Sequence, residues 1–578
     1  MGSSLSFFTF MYLSFLLFSF QLTSSRQPLC HDKEHSALLR FKESLFIHHE
    51  YYYSDSACST KTELWNLKGN GDCCSWEGVK CNVDTGYVIK LDLSSSCLYG
   101  SINSSSTLFH LVHLQWLSLA YNNFTDSKIP SGIMNLSRLS HLNLSHSYFS
   151  GQIPPEMLEL SNLESLDLSG FWSFDLLRYE LQLQQPGYEL QLQQPGYELQ
   201  FQQPGYGLQL QQPNLKSLVE KLTNLKVLDL SSVNNISSSQ LEVLTNLSSL
   251  NFLSLQNCNL EGTIPSSLGN LYSLIHLDLS DNNFGGQIPS EMLELSQLEY
   301  LDLSWNEDSS LEKTLQLRQP GGLRSLVDKL TNLKWLDLSD VNISSSIPKS
   351  LGNLSSLTHL SLKDCQLQGQ IPSEMLELSQ LEYLDLSYNY DLQPGGLRSL
   401  VDKLTNLKWL DLSEVNIYSS IPNSLGNLSS LTYLSLRECK LQGTIPSSLG
   451  NLYNLIYLDL SRNNFGGTIP SSIGSLTKLV YLDISYNNLQ GTIPSSIGSL
   501  TKLNTLTLSY NNLQGTILSS IGSLTKLVYL DISINNLQEL TWDFQEQFHL
   551  QLVASASLSI STSILTIYGA SCLFQLEI

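Results

Sequence analysis

One template governs the chain from about Tyr87 to Leu537: LxxLxxLxLxxNxLxGxIPxxLGN, cleanest in Leu452–Ser475, Leu476–Ser499 and Leu500–Ser523. In Leu455-Ile456-Tyr457-Leu458-Asp459-Leu460-Ser461 the leucines Leu458 and Leu460 alternate with other residues, the pattern of a short strand with one buried face. Asn463 follows, and Phe465, Gly467, Ile469 and Pro470 then turn the chain away and return it along the other side. No single unit can bury its leucines alone, whereas stacked in parallel each coil covers the next. Strand neighbours lie about 4.8 Å apart, so roughly seventeen coils give a stack of order 80 Å. A length of 578 residues, which in a globular chain implies several domains, is therefore read as one array. The fold expected is an α/β-type repeat solenoid with a parallel β-sheet on its concave face.

The template lines up side chains in columns. Asn122, Asn282, Asn306, Asn389, Asn463, Asn487, Asn511 and Asn535 form a column suited to hydrogen-bonding turn backbone between coils. Cys258, Cys365 and Cys439 take the same position and are read as buried free thiols with a structural role. Outward strand positions give a column of rings: Trp116, His141, Phe252, His276, Tyr300, Trp335, His359, Tyr383, Trp409, Tyr433, Tyr457, Tyr481 and Tyr529. Rigid amphipathic rings supply large contact area at low entropic cost, as binding anchors do. Beside them runs an acidic column of Asp167, Asp229, Asp278, Asp302, Asp337, Asp385, Asp411, Asp459, Asp483 and Asp531. Ser254, Ser361 and Ser435 break it, always in the cysteine coils.

Carboxylates at strand spacing repel by about 1 kcal/mol in water and by more where water is excluded. Partial protonation, the serine breaks or cations must relieve that repulsion. Two readings stand. In one, Trp335, His359, Tyr383, Trp409, Tyr433, Tyr457 and Tyr481 act with Asp385, Asp411, Asp459 and Asp483 to hold a peptide or glycoprotein ligand bearing basic groups. In the other, each aspartate belongs to the strand's habit and bonds nearby backbone or solvent.

Residues 1–25 read as a signal peptide, with an apolar run from Phe7 to Phe20 and small residues at Thr23-Ser24-Ser25. A membrane anchor there is the competing reading, although the run is short for a bilayer. Export agrees with nine N-x-S/T sequons, at Asn103, Asn123, Asn135, Asn143, Asn235, Asn246, Asn342, Asn353 and Asn427. Cys30, Cys58, Cys73, Cys74, Cys81 and Cys97 cluster before and at the first repeat, as a stapled cap would in an oxidising compartment. A net charge of -22 leaves no basic stripe for phosphates, so nucleic acid is excluded as a partner and basic partners are favoured.

Gly262-Thr263-Ile264-Pro265 and its equivalents resemble the plant-specific class of leucine-rich repeats. Cys30-His31-Asp32-Lys33-Glu34, Ala37-Leu38-Leu39-Arg40-Phe41-Lys42, Trp65 and Cys73-Cys74-Ser75-Trp76-Glu77-Gly78-Val79-Lys80-Cys81 resemble the N-terminal cap of plant receptor-like proteins and receptor kinases. The likeness runs from residue 26 to about 537. It implies a right-handed superhelix with an N-terminal disulfide cap, Cys30 paired with Cys73, and Cys74 with Cys81. It assigns no partner to Cys58 or Cys97.

The expected organisation is a signal peptide at 1–25, a cap at 26–86, first coils at 87–170, a Gln/Pro-rich insert at 171–217 and further coils at 218–537. Shorter inserts lie near 307–329 and 390–403. The inserts end alike, at Leu215 to Leu222, Leu323 to Leu330 and Leu397 to Leu404, where Leu323, Leu326, Val327 and Leu330 have the spacing of an amphipathic helix. Glu156-Met157-Leu158-Glu159-Leu160 recurs at Glu291 and Glu374, so the array grew by duplicating multi-coil blocks. The first insert contains a nonapeptide tandem beginning Tyr179-Glu180-Leu181, read as a projecting loop: a ligand-contacting island, or the expansion of a short repeat without selected function.

Residues 538–578 form an atypical tail. Leu552 to Phe574 carries no charge and is long enough to cross a bilayer, yet it is Ser-rich and nothing basic follows it. A truncated or altered ending, or a makeshift cover for the last coil, is the preferred reading.

Uniform ladders of Asp and Tyr are not the differentiated groups catalysis needs, so no enzyme, cofactor or metal site is expected. No glycine-rich loop, HRD or DFG segment follows the repeats, so signalling would need a separate kinase-bearing co-receptor. The resemblance implies a receptor-like protein at the outer face of the plasma membrane, binding a peptide or protein ligand in plant defence or development. The alternatives are an inhibitor or decoy secreted to the apoplast, similar to polygalacturonase-inhibiting proteins, and a fragment of a receptor.

Overall fold

The structure, a computed structural model, describes residues 29–47, 61–63, 65, 71–125, 127–170, 207–306, 314–318, 321–393, 395, 397–516, 519–538 and 559–560. The signal peptide, the nonapeptide tandem, Cys58, Cys572 and most of the tail lie outside the described residues. The chain divides into two compact units, Met1–Gly170 with Gly207–Leu225, and Phe171–Tyr206 with Lys226–Ile578.

The first unit begins with helix α1, Asp32–Glu43, whose Ala37, Leu38 and Phe41 are buried. Asp32 and Glu34 stand in its first turn and Arg40 and Lys42 in its last, each favourable to the helix dipole. Trp65 stacks on Trp76 with ring centroids 5.1 Å apart, and Trp65 Nε1 donates to the Glu77 carbonyl at 3.1 Å. Disulfides join Cys30 to Cys73 and Cys74 to Cys81. Cys97 is disulfide-bonded as well. The buried Glu34 carboxylate accepts the Val88 amide hydrogen at 2.7 Å, fastening the cap to the first strand. Val79–Cys81 pairs antiparallel with Val88–Asp92, and from there the ladder is parallel through Trp116–Ser118, His141–Asn143 and Ser165–Asp167. Helix α2, Leu215–Lys221, buries Leu215, Leu218 and Val219 in the last coil of this unit.

The second unit repeats the coil without a change of register. Val227–Asp229 pairs with Phe252–Ser254, then His276–Asp278, Tyr300–Asp302, Trp335–Asp337, His359–Ser361 and Tyr383–Asp385 follow. Trp409–Asp411, Tyr433–Ser435, Tyr457–Asp459, Tyr481–Asp483, Thr505–Thr507 and Tyr529–Asp531 continue the ladder, all parallel. Their central leucines, Leu277, Leu384 and Leu458 among them, are fully buried. Ser559–Ile560 adds a short parallel strand to Tyr529–Leu530. These two are the described residues of the 552–574 segment. No helix among the described residues is long and apolar enough to cross a membrane.

Opposite the strands each coil makes one 3₁₀ turn, such as Ser447–Asn451, Ser471–Ser475 and Ser495–Ser499. The glycine of the LGN or IGS triplet lets these turns touch: a Cβ on Gly474 would lie 2.3 Å from the Ser496 carbonyl oxygen. Where the inserts end, helices replace the 3₁₀ turn: α3, Gly322–Lys329, and α4, Leu397–Lys403, with Leu323, Leu326 and Val327, and Leu397, Leu400 and Val401, buried. They are integral parts of their coils.

The asparagine column closes each coil. Asn282 Oδ1 accepts the amide hydrogens of Cys258 and Leu260 at 3.0 Å, and its Nδ2 donates to the carbonyls of Leu255, Leu279 and Ser280. Where cysteine replaces asparagine, one thiol donates to the preceding coil, Cys365 Sγ to the Leu338 carbonyl at 3.0 Å and Cys439 Sγ to that of Leu412 at 2.9 Å. Burial pushes all three thiols up, away from reactive thiolate.

Candidate functional site

The outward strand positions of the second unit form one continuous ring stack. From Phe252 through His276, Tyr300, Trp335, His359, Tyr383, Trp409, Tyr433, Tyr457 and Tyr481, neighbouring ring centroids lie between 3.3 and 5.2 Å apart, with planes within 19° of parallel. Strand spacing sets the distance, and identical backbone geometry sets the tilt. Thr505 interrupts the column before Tyr529. In the first unit Trp116 stacks on His141 at 4.2 Å, with Lys90 Nζ 4.2 Å from the centre of the Trp116 ring. The ring faces are covered by one another, so what these residues offer a partner is edges. His359 is buried outright, and burial holds the His276 imidazole down to about 4, neutral at physiological pH.

The acidic column is turned inward by its own strand ends. Oδ1 of Asp385 accepts the Ser387 amide hydrogen at 2.9 Å and the Ser387 hydroxyl at 2.6 Å. The same pairing joins Asp411 to Ser413, and Asp459 and Asp483 accept the amides of Ser461 and Ser485 at 2.8 Å. Asp385 and Asp459 are buried, Asp411 and Asp483 half-buried. Loss of water and the neighbouring carboxylate together push Asp385 and Asp459 up to about 7. Asp411 and Asp483 are raised as well, mainly by loss of water. These groups serve first as turn caps.

Two basic residues answer this buried charge, and neither stands out in the sequence as a site residue. Lys363 and Arg437 occupy the position that serine holds in ordinary coils, both in coils where the strand aspartate is itself a serine. The Lys363 ammonium lies 4.8 Å from the ring centre of Trp305 and 5.3 Å from that of Tyr388. Burial opposes its charge, but Asp385, Asp411 and Asp340 outweigh that and hold its pKa above the ordinary value. Burial likewise opposes the charge of Arg437, and Asp459, Tyr388, Glu414 and Asp483 offset it. The exchange was legible as S-L-K-D-C and S-L-R-E-C where L-D-L-S is usual.

A further column, also missed, is the one that reaches solvent. It comprises Trp305, Asp340, Asp364, Tyr388, Glu414, Glu438, Arg462, Tyr486, Tyr510 and Ile534, the residues just before the asparagine position; Asp340, Tyr388 and Glu414 are half-buried and the others exposed. All have left-handed backbone, with φ from 49° at Asp364 to 66° at Asp340. That conformation lifts each side chain off the coil. Trp305, Tyr486, Tyr510 and Ile534 are exposed large apolar residues. The signal was available: here identity changes from coil to coil more freely than at the flanking positions, which are serine and asparagine in most coils.

Of the sequons, Asn103, Asn135, Asn235, Asn246, Asn353 and Asn427 are exposed and Asn123, Asn143 and Asn342 half-buried. Asn143 stands in the acidic column and donates Nδ2 to Asp167 at 2.8 Å, a bond a glycan there would break. Cys30, Cys73 and Cys74 bring three sulfurs together, but both bridges consume their metal-binding capacity.

Comparison with known proteins agrees with this architecture. The chain matches the leucine-rich repeat region model over residues 210–319 and 399–571, Zer-1-like leucine-rich repeats over 326–425, and single leucine-rich repeats over 113–136 and 138–160. The leucine-rich repeat N-terminal domain model matches residues 31–82. The chain belongs to the leucine-rich-repeat family. Within it, the chain is similar to plant receptor-like proteins: it is 37% identical over 252 residues to Receptor-like protein 6 of Arabidopsis thaliana, covering 42% of this chain and 22% of that one. The chain spans about a quarter or less of the curated relatives it matches.

Among solved structures, the ectodomain of the Arabidopsis thaliana receptor kinase GASSHO1/SCHENGEN3, in complex with CASPARIAN STRIP INTEGRITY FACTOR 2, is 27% identical with a TM-score of 0.56, covering 88% of this chain and 63% of that one. The Arabidopsis receptor kinase HAESA, in complex with the peptide hormone IDA and the co-receptor SERK1, is 25% identical with a TM-score of 0.53, covering 88% and 86%. The matched ectodomain fold and the receptor-like relatives are those of binding proteins, not enzymes.

Proposed function

We propose that this chain is the recognition part of a plant cell-surface receptor-like protein, that it binds a peptide or protein ligand on the strand face of its second unit, and that it signals through a separate kinase-bearing partner. The observation that carries the reading is the solvent-reaching column from Trp305 to Ile534. It sets aromatic, acidic and basic side chains side by side on a rigid ladder, each held out by left-handed backbone. Such an array offers large contacts at little entropic cost, and varied identities give specificity.

The ring stack and the aspartates lie beneath that column as its foundation. Trp335, His359, Tyr383, Trp409, Tyr433, Tyr457 and Tyr481 contribute edges, and Asp385, Asp411, Asp459 and Asp483 contribute negative potential, only partly offset by Lys363 and Arg437. With Asp340, Asp364, Glu414 and Glu438 above them, the face favours a ligand carrying basic groups. Peptide ligands and a co-receptor in the related ectodomain complexes support both halves of the proposal. The disulfide-stapled cap supports an oxidising, extracellular setting.

Titration of the purified chain with a synthetic peptide library in which lysine or arginine content is varied tests the ligand class. Affinity that rises with basic content and falls with added salt supports the reading. Preference for acidic or uncharged peptides removes it. Alkaline carbonate extraction of expressing plant tissue tests the setting, since a surface receptor stays with the membranes and a secreted inhibitor is released.

A further inference from the structure

We propose that Tyr486 and Tyr510 are a site of oxidative cross-linking, joined as dityrosine by a peroxidase-class one-electron oxidant with hydrogen peroxide. The two residues sit at the same position in consecutive coils, above the paired leucines Leu482 and Leu506. Their ring centroids are 4.0 Å apart with planes 11° from parallel. Both residues are exposed, at 40% and 42%, so an oxidant that acts at the surface reaches them.

Backbone geometry fixes this arrangement. φ values of 51° and 53° hold both side chains outward, and the parallel ladder holds them together. The two rings project from the same register position and lie nearly parallel, 11° apart. The carbons beside the two hydroxyls are therefore neighbours, and exposure leaves the rings free to turn edge to edge for bonding. The Arg462 guanidinium lies over the Tyr486 ring, 4.7 Å from its centre. Tyr433, Tyr457 and Tyr481 are also stacked, but they are half-buried between strand neighbours, and Tyr433 donates its hydroxyl to Asp411. Among the described residues, Tyr486 and Tyr510 are the stacked tyrosine pair open to solvent.

The chemistry balances. Each phenol gives up one electron and one proton to become a tyrosyl radical. The radicals couple through the ring carbons adjacent to oxygen, forming one C–C bond. Both rings then regain aromaticity as the hydrogens on those carbons move to the oxygens. Two ring C–H bonds are lost in total, and the two electrons and two protons reduce one hydrogen peroxide to two waters. The product is a covalent rung between two coils. Repeat arrays are held only by nearest-neighbour interfaces, so such a rung resists their fraying.

The test treats the full chain, at low concentration, with a haem peroxidase and hydrogen peroxide and follows dityrosine fluorescence. Trypsin cutting at Lys478, Lys502 and Lys526 releases Leu479–Lys502 and Leu503–Lys526. The expected result is one joined species lighter than the two peptides by two hydrogens, with fragmentation placing the link at Tyr486. Tyr486→Phe and Tyr510→Phe should each abolish it while circular dichroism stays unchanged, and prior unfolding in urea should suppress it. A link at Tyr481, a joined species that survives Tyr486→Phe, or joining only between separate chains would overturn the proposal.

Discussion

The side-chain carbonyl of Asn463 accepts the backbone amide hydrogen of Cys439, one coil earlier, at 3.1 Å. It also accepts that of Leu441 at 2.9 Å, while its amide nitrogen donates to the carbonyls of Leu436, Leu460 and Ser461. One residue thus satisfies five backbone groups that water cannot readily reach. Asn463→Ala should lower unfolding stability by about 3 kcal/mol, since unmatched buried polar groups cost about 1–3 kcal/mol each. Cys439→Ser keeps a donor toward Leu412 and should cost about 1 kcal/mol. Equal losses in urea denaturation would refute the role given to the asparagine column.

The buried aspartates set the pH dependence. In the unfolded chain their carboxyls titrate near 3.8, and in the folded one Asp385 and Asp459 are pushed up to about 7. Between those values the folded state holds protons that the unfolded state has released, so stability is fully present below the lower value and is lost as pH rises through the upper one. The chain should be more stable near pH 5 than near pH 8 by about 2 kcal/mol, and Asp385→Asn should flatten that slope. Denaturation midpoints across this range decide it; stability that increases with pH would contradict the account.

Lys363 is the counter-charge to Asp385, Asp411 and Asp340. Lys363→Met should destabilise the second unit by about 2 kcal/mol, because the carboxylates lose their partner in a partly dehydrated place. Adding Asp385→Asn should restore part of the loss, as a double-mutant cycle would show. Simple additivity of the two changes would mean that the ammonium and carboxylate do not interact.

The solenoid was legible because leucine spacing and strand register are the same information: Leu277 and Leu458 had nowhere else to go. So was the asparagine column, whose amide bonds in two directions. What periodicity could not give was depth. Tyr383 and Asp385 both alternate with buried leucines and so read as outward, yet adjacent coils cover the ring faces and Ser387 folds the carboxylate onto the strand end. The solvent-reaching residues lie just past the strand, where left-handed backbone breaks the alternation on which the reading depended. Lys363 and Arg437 were overlooked because they replace a serine, and a column is easier to see in what repeats than in what departs.

The central claim is that recognition occurs on the strand face through the column including Trp305, Tyr388 and Glu414. Affinity capture from plant extracellular fluid tests it, comparing the unmodified chain with a Trp305→Ala, Tyr388→Ala, Glu414→Gln variant and with a control altered on the opposite side at Lys349→Ala and Glu374→Ala. Peptides enriched by the unmodified chain should be kept by the control and lost by the strand-face variant, with circular dichroism the same for all three. Peptides kept by the strand-face variant and lost by the control would place recognition elsewhere.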